Sequence, residues 1–567
     1  MGSFFKDNQD LVAAFEGLDL EEVVDILESG YDDPDGPSDY EDAMDNYRLA
    51  LGLAGEIAAD TIAPLSEEID AHGATFSEGE VTYASGSEQA YQRLGQSGLA
   101  GVIVPRKHGG LGFPATIYIM MIEMVSRADA SIMTMFGYQD IGEAIAEFAT
   151  DEVAAKYLPE YAAGRHIGAM VLTEPGAGSD LQSIRLKAFQ DEEGQWRLRG
   201  VKQFISNGNG QLLLVLARSE PDVEGTFGLS LFACHGGERV QVTRVEEKMG
   251  LHGSPTCELY FDDAPADMVG RRRYGLLHVL HVLNHARFSV AAQALGIAEA
   301  AAREARAYAK ERVQFGRVIE TMPPVADLLI GMAVDLEAGR AMLYDGTQRL
   351  DLRNKLEERI SHVKAEGGDT KPLRARFKRL AAQVDFLSPA TKYWVTETSN
   401  RICYEAQQVH GGMGYMKELP LERFVRDVRI TTIYEGTTQV QVAASIGNAL
   451  ADTLGDLFDG WDSVDRRPET AELVARLSAL RAMYRSVAEA ASDCDESSRE
   501  AAARCVVDAY LGLYGSYLLV NQAEADDRKV RVAQRFVAKT EVAMATAEAV
   551  FRSGIHDSFR NVGTIIG

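Results

Sequence analysis

The sequence predicts an α+β multidomain chain: an N-terminal α-helical domain, a middle β-barrel domain, an α-helical bundle domain and an additional C-terminal α-helical domain. Three observations predict it. Apolar residues recur at helical spacing from Tyr40 through Met44, Tyr47, Leu51, Ala54, Ala58 and Ile62, and helical spacing resumes over 116–163. At Gly168 the pattern changes to short alternating or wholly apolar runs between turn residues. From Gly275 helical spacing returns, continues to Leu450, and is followed by a further helical block over 452–567.

In chain order, residues 1–38 read as an acidic extension that ends in the turn-rich linker YDDPDGPSDYED. Residues 39–167 read as the N-terminal helical domain. Its methionines Met120, Met121, Met124, Met133 and Met135 suit plain core or the lining of an adaptable apolar pocket. Residues 168–270 read as the barrel, with strands expected at 169–172, 184–189, 196–205, 212–217, 229–233, 240–245 and 258–261. The turn residues Asp262-Asp263-Ala264-Pro265 are expected to close it. Residues 271–451 read as the bundle, in which the charged stretch 354–379 reads as an exposed insertion and 421–433 as a short amphipathic helix. Residues 452–567 form a helical extension with no nameable motif.

Charge and cysteine usage narrow the function classes. A net charge of −28 repels nucleic acid and anionic membranes unless a basic patch is segregated, and Arg271-Arg272-Arg273 is too short for one. Five cysteines without CxxC spacing point to a reduced compartment and no structural metal. The N-terminus lacks a basic region followed by a long apolar core, and no run approaches 18 apolar residues. A cytoplasmic protein without membrane insertion is therefore expected. His278, His281 and His285 share a helical face, but no cysteine or carboxylate in the sequence clusters with them, so packing or solvation is the expected role. No GxGxxG fingerprint opens a βαβ unit, so a dinucleotide would not be bound in the Rossmann manner.

The informative stretch is QVHGGMGYMKELPLERFVRDVRITTIYEGTTQVQ, residues 408–441. It places one carboxylate, Glu435, between Tyr434 and Gly436, ahead of Thr437-Thr438-Gln439, which suit a helix cap. A carboxylate on a glycine turn suits a general base, since burial raises its pKa and glycine admits a close substrate; the alternative is a glutamate on a solvated turn. Upstream, TEPGAGSD (173–180) offers small residues, exposed amides and hydroxyls to a flavin edge or a pyrophosphate. It also fits a plain strand-to-turn connection. About thirty residues on, KQFISNG (202–208) ends a strand, where Phe204 suits a flavin face and Ser206 the N5 region.

Taken in order, GLAGVIVP with GGLG, AMVLTEPGAGSD, KQFISNG, EKMGLHGSPTCELYFDD, YAKERVQFG, QVHGGMGY and IYEGTTQVQ resemble the acyl-CoA dehydrogenase family across residues 40–450. The extensions and the 354–379 stretch resemble a larger bacterial branch that includes methylmercaptopropionyl-CoA dehydrogenases. The resemblance implies Glu435 as the catalytic base. The rival position on the long helix, used by one subgroup, matches Ala286, which cannot act as one. It implies FAD contacts at Met170, Leu172, Thr173, Gly178, Ser179, Phe204, Ile205 and Ser206. Arg312, Gln314, Phe315, Gln408, Val409, Gly411 and Gly412 match contacts to the FAD of a neighbouring subunit, and Thr437 and Gln439 match contacts to its adenosine side. Ser179, Asn284, Ala286, Arg287, Tyr434 and Gly436 match substrate positions. Two departures stand out: Phe204 replaces the common tryptophan, and Asn284 stands where the family often has an acid.

The implied reaction is α,β-desaturation of an acyl-CoA to the trans-2-enoyl-CoA. Glu435 takes the α-proton, and the β-hydrogen leaves as hydride to flavin N5. Hydrogen bonds to the thioester carbonyl stabilise the enolate charge. Electron-transferring flavoprotein is the implied acceptor, with an oxygen-using acyl-CoA oxidase as the rival and a non-catalytic relative as the alternative of another class. A homodimer is expected, with a tetramer as the other family form. A short or modified acyl chain such as methylmercaptopropionyl is favoured by the branch resemblance.

Overall fold

The computed structural model describes residues 2–237 and 239–567. The chain divides into two compact units: Met1–Val12, Glu28–Ala300 and Lys417–Thr431 form the first, and Ala13–Leu27, Ala301–Met416 and Thr432–Gly567 the second.

The first unit begins with helices whose starts are set by short polar side chains. Asp39 accepts the Asp42 amide at 2.9 Å to open Tyr40–Ile57, and Asp129 accepts the amides of Ser131 and Ile132 at 2.8 and 3.0 Å to open Ala130–Phe136. Met120, Met121, Met124, Met133 and Met135 are all buried, as core packing requires. Among the described residues, the helical stretch Tyr40–His72 alone is long and apolar enough to cross a membrane by length and composition. Its Tyr47, Leu51, Ala54, Ile57 and Ile62 are buried.

The period change at Gly168 produces seven strands: β1 Gly168–Val171, β2 Lys187–Gln190, β3 Trp196–Ser206, β4 Leu212–Arg218, β5 Leu229–His235, β6 Val240–Val245 and β7 Thr256–Val269. Strand β4 pairs β5, β5 pairs β7, β7 pairs β3, β3 pairs β2, and Lys187 of β2 meets Arg218 of β4, so the sheet closes into a ring. Strand β1 joins β4 in parallel, and β6 lies along β7. Alternation along β4 separates two cores. Leu213, Val215 and Ala217 fill the barrel with Leu198, Phe232 and Phe261. Leu212, Leu214 and Leu216 face the other way, onto Tyr157, Leu158, Val282 and Leu283 of the flanking helices.

Two strand expectations need correction. The second strand is shorter than 184–189, because 181–183 is a 3-10 turn and only Lys187–Gln190 pairs. The last strand does not end at Asp262-Asp263-Ala264-Pro265 but runs through it to Val269. Asp263 sits at φ +53° where the β3–β7 register shifts, and Arg199 clasps its carboxylate with two 2.5 Å bonds. Pro265 lies where β6 has ended and the pairing to β5 has not begun, so its missing N–H costs no bond on that side.

Helix Leu421–Arg429 belongs to this unit and buries Leu421, Phe424 and Val428, three of the expected apolar face. It also buries Asp427, whose Oδ1 accepts the Leu251 amide at 2.7 Å. Burial pushes this carboxyl up to about 7, the Leu251 amide opposes that, Asp129 reinforces it and Arg423 opposes it. A raised carboxyl pKa means that folding takes up a proton between the ordinary value of 3.8 and about 7. Stability is therefore lost as pH rises through that window. Asp427→Asn, which keeps the acceptor for Leu251, is expected to flatten the pH dependence of unfolding there. It should raise the unfolding temperature at pH 8 by roughly a few degrees. An unchanged pH profile by scanning calorimetry would place the titration elsewhere.

In the second unit two long helices, Pro323–Ala365 and Lys371–His410, pack against each other. The charged stretch 354–379 is not a separate insertion but the tip of this pair. It is mostly exposed, as expected, and helical except for a turn over 366–370. Helices Thr438–Leu450, Pro468–Ser492, Glu496–Gln522 and Asp527–Ser553 complete the unit. The last two seat on the long pair through charges and aromatic hydroxyls. The Tyr393 hydroxyl donates to Asp508 at 2.7 Å, and Glu337 takes Arg528 at 2.6 Å and Lys529 at 2.8 Å. Residues ahead of Tyr40 are anchored in both units: Phe5 and Leu11 are buried in the first, Phe15, Leu20 and Val24 in the second.

Candidate functional site

In the first unit, β3 ends in a bulge. Lys202 pairs with Leu259 and Ile205 with Cys257, so three steps on β3 face two on β7. Phe204 takes the extra position at φ +61° and turns its ring outward, 57% exposed, while Ile205 stays buried. The TEPGAGSD turn lies beside this bulge. The Gln203 amide donates to the Thr173 carbonyl at 2.9 Å, and Glu174 and Ala177 exchange two backbone bonds at 3.0 Å. Met170 and Leu172 are buried under the turn, and Gly178 and Ser179 are exposed on it. Thr173, Gly178 and Ser179 thus lie on a turn tied to the strand end that carries Phe204 and Ser206, with Met170 and Leu172 buried beneath it.

Three residues that the sequence reading did not single out hold this surface. Lys202 is fully buried, donating to the Leu172 carbonyl at 2.7 Å and pairing with Glu174 at 3.0 Å. Burial pushes its ammonium down to about 8, against the attraction of Glu174. Glu174 also accepts the amides of Arg185 and Leu186, at 2.6 and 2.9 Å. Asn207, at φ +54°, donates to the Thr134 carbonyl at 2.9 Å and takes the Ser254 hydroxyl at 3.3 Å. The signal for Lys202 and Asn207 was a lysine and an asparagine flanking an apolar strand end; Glu174 was indistinguishable from a loop acid.

On helix Gly275–Glu311, Asn284 and Ala286 are buried, and Arg287 donates to Asn284 Oδ1 at 3.2 Å. The neighbouring histidines do meet carboxylates, which come from helix Asp140–Phe148. His285 pairs with Glu143 at 3.1 Å and His281 with Glu147 at 3.2 Å. These are separate pairs. Among the described residues no three His, Cys, Asp or Glu side chains gather as a metal site. Arg272 is taken by Glu220 at 2.6 Å and Arg273 donates to the Phe227 carbonyl at 3.2 Å.

In the second unit, Glu435 has φ +51° and Gly436 φ +95°. A left-handed glutamate is held only where its surroundings over-determine it. Here Gln441 Nε2 donates to the Glu435 carbonyl at 2.7 Å, and Lys392 Nζ donates to the Gly436 carbonyl at 2.7 Å. Gln441 and Lys392 are fully buried, whereas Tyr434, Glu435 and Gly436 are half-buried. A Cβ on Gly436 would stand 2.4 Å from Gln441 Nε2 and sit at φ +95°, so a side chain there would strain the backbone and displace the Gln441 amide. Thr437 is the N-cap of Thr438–Leu450, as the sequence suggests, but its side chain makes no capping bond. Thr438 instead donates to Glu397 at 2.5 Å, and Gln439 is exposed.

Two further exposed turns belong to this unit. Arg312 leads into a hairpin in which Gln314 pairs with Arg317 around Phe315 and Gly316, both at positive φ. Phe315 is 94% exposed. Gln408, Gly411 and Gly412 are exposed where helix Lys371–His410 stops, with Val409 buried beneath them. The Tyr308 and His410 rings stack at 4.4 Å, which brings the two turns close to one another.

These features can hold a planar ring against Phe204, with polar atoms near Thr173 and Ser206, and can present a carboxylate on a turn whose backbone is held. Family models for acyl-CoA dehydrogenase match the N-terminal domain at 46–165, the middle domain at 169–264 and the C-terminal domain at 274–372 and 373–450. A 3-methylmercaptopropionyl-CoA dehydrogenase of Ruegeria pomeroyi is 34% identical over 430 residues, 71% of this chain and 70% of the relative. Among solved structures, butyryl-CoA dehydrogenase of Megasphaera elsdenii is 29% identical, with TM-score 0.61, over 72% of this chain and 98% of that one. An acyl-CoA dehydrogenase of Bacillus anthracis complexed with FAD, 23% identical, shares the fold at TM-score 0.74 over 88% of this chain and 87% of that one.

Proposed function

The chain belongs to the acyl-CoA dehydrogenase family, FAD-dependent oxidoreductases acting on CH–CH bonds, and from that premise we propose that Glu435 is its catalytic base. The observation that carries this reading is the locked left-handed turn. Gln441 and Lys392 fix the backbone on either side of the Glu435–Gly436 bond, so the carboxylate is aimed before substrate arrives. Glu435 removes the α-proton of an acyl-CoA thioester, and its own amide is a donor for the developing enolate oxygen. Bound FAD supplies the acceptor for the β-hydrogen, taken as hydride. Phe204, Thr173, Ser206 and the amides of 176–179 are the groups that would hold FAD, through ring stacking and hydrogen bonds.

The remaining assignments follow the same match. Ser179, Asn284, Ala286 and Arg287 in the first unit, and Tyr434 and Gly436 in the second, match the family's substrate positions. Arg312, Gln314, Phe315, Gln408, Val409, Gly411 and Gly412 reach the FAD of a second copy, which suits the exposure of all but Val409 and makes a homodimer the working assembly. Thr437 and Gln439 meet the adenosine side. Electron-transferring flavoprotein takes the electrons, and the five free thiols suit a cytoplasmic setting. A short or modified acyl group such as methylmercaptopropionyl is the favoured substrate, in keeping with the Ruegeria relative.

The test is an anaerobic titration of the FAD-loaded protein with acyl-CoAs of graded length, including methylmercaptopropionyl-CoA, followed by flavin absorbance. Bleaching by short or thioether chains supports the substrate class, and bleaching only by long chains overturns it. No bleaching by any acyl-CoA overturns the reaction.

A further inference from the structure

The helical extension forms an open cleft of about 330 Å³ against helix Lys371–His410, lined from that helix and from Glu496–Gln522 and Asp527–Ser553. In a chain of net charge −28, three cations converge on it: Arg401, Arg504 and Lys539. Arg401 and Lys539 share one carboxylate, Asp335, and Arg401 has Glu405 at 3.7 Å. Arg504 holds Glu397 through a long 3.4 Å bond. A guanidinium has five N–H donors, so both arginines, each about half exposed, keep donors for a ligand. Of the wall's own carboxylates, Asp508 is engaged by the Tyr393 hydroxyl and Glu397 by Thr438. Beside Lys539 stand Trp394 and Phe536, ring centroids 5.9 Å apart, with the ammonium 5.4 and 5.9 Å from their centres.

We propose that this cleft binds a small organic oxyanion, its phosphate or carboxylate held by Arg401 and Arg504 and its apolar body set against Trp394 and Phe536. Guanidinium groups bind such oxygens through parallel N–H donors, and the volume lies at the small end of ligand pockets. The site has a route to the turn that carries Glu435. The anion competes with Glu397 for Arg504, and the other oxygen of Glu397 accepts the Thr438 hydroxyl at 2.5 Å, three residues beyond Glu435. Occupancy therefore alters the hold on the start of helix Thr438–Leu450. This coupling, unlike the binding, rests on Glu435 being the base.

Calorimetric titration of the full-length FAD-loaded protein with phenyl phosphate, and separately with inorganic phosphate, tests the site without any acyl-CoA. Phenyl phosphate is expected to bind once per chain with Kd below about 1 mM, and inorganic phosphate more weakly. Losing a charge-assisted bond should weaken it about ten-fold in Arg504→Gln, and further in Arg401→Gln/Arg504→Gln. Ala543→Leu, which narrows the cleft without touching an ion pair, should abolish binding in a protein of unchanged unfolding temperature. No heat at about 10 mM ligand, or equal affinity in the parent and Ala543→Leu, overturns the site. If phenyl phosphate binds but leaves the rate of flavin bleaching by acyl-CoA unchanged, the site stands and the coupling falls.

Discussion

Glu435→Gln is expected to remain yellow, to bind acyl-CoA, and to fail to bleach. Glutamine is isosteric and leaves the backbone bonds from Gln441 and Lys392 in place, because both go to carbonyls of the turn and not to the side chain. What is lost is the proton acceptor. General bases of this kind contribute about 10²- to 10⁴-fold to kcat, so turnover should fall by at least that range. KM and FAD content should stay near the parent values, since uniform binding is not touched. Flavin absorbance under anaerobic mixing reads both properties in one experiment. Near-parental bleaching would show that another group takes the α-proton and would remove Glu435 from the mechanism.

Lys202→Met should have the largest effect on stability. Methionine matches the length of the lysine stem but strands Glu174, a buried carboxylate whose cation is gone. Breaking one side of a buried pair costs about 3–5 kcal/mol. The loss falls on the turn that ties residues 172–177 to the β3 bulge, so FAD should be depleted as well as stability lowered. Glu174→Gln in the same chain removes the stranded charge and keeps an acceptor for Arg185 or Leu186, so the double variant should recover part of both losses. Denaturant unfolding by circular dichroism, with flavin content measured on the same samples, gives the comparison. A Lys202→Met protein within about 0.5 kcal/mol of its parent and full of FAD would show that the pair does not support the site.

The sequence made the element types legible wherever one period dominated. Alternation in LLLVLAR and LSLFACH placed β4 and β5, and the methionine-rich helices read as the core they form. It misled where turn residues sat inside a strand. Asp262, Asp263 and Pro265 look like an ending, and only the gap between β6 and β5 explains why β7 continues. The 354–379 stretch looked like an insertion because charge hides helical periodicity when neither helix face is buried. At the site, Glu435, Phe204 and the glycine turns were visible because motifs are contiguous. Lys202, Glu174, Lys392 and Gln441 were not, because their partners lie 30, 28, 44 and 6 residues away, at distances that carry no sequence signal.

The exposed tip of the paired long helices is held by the Arg376–Glu22 pair and not by a core. Past Leu356 the Pro323–Ala365 arm buries no side chain, and the Lys371–His410 arm buries none before Leu380, so no core position fixes where the turn must fall. Closing a longer loop costs only about 0.6 kcal/mol per doubling of its length. Matched turns can therefore be gained or lost from both arms while Lys392 and Glu397, further down the second arm, keep their register. Relatives should differ in length here more readily than further down the same two helices, and an alignment that forces gaps into the lower arms would misplace the residues that hold the Glu435–Gly436 turn.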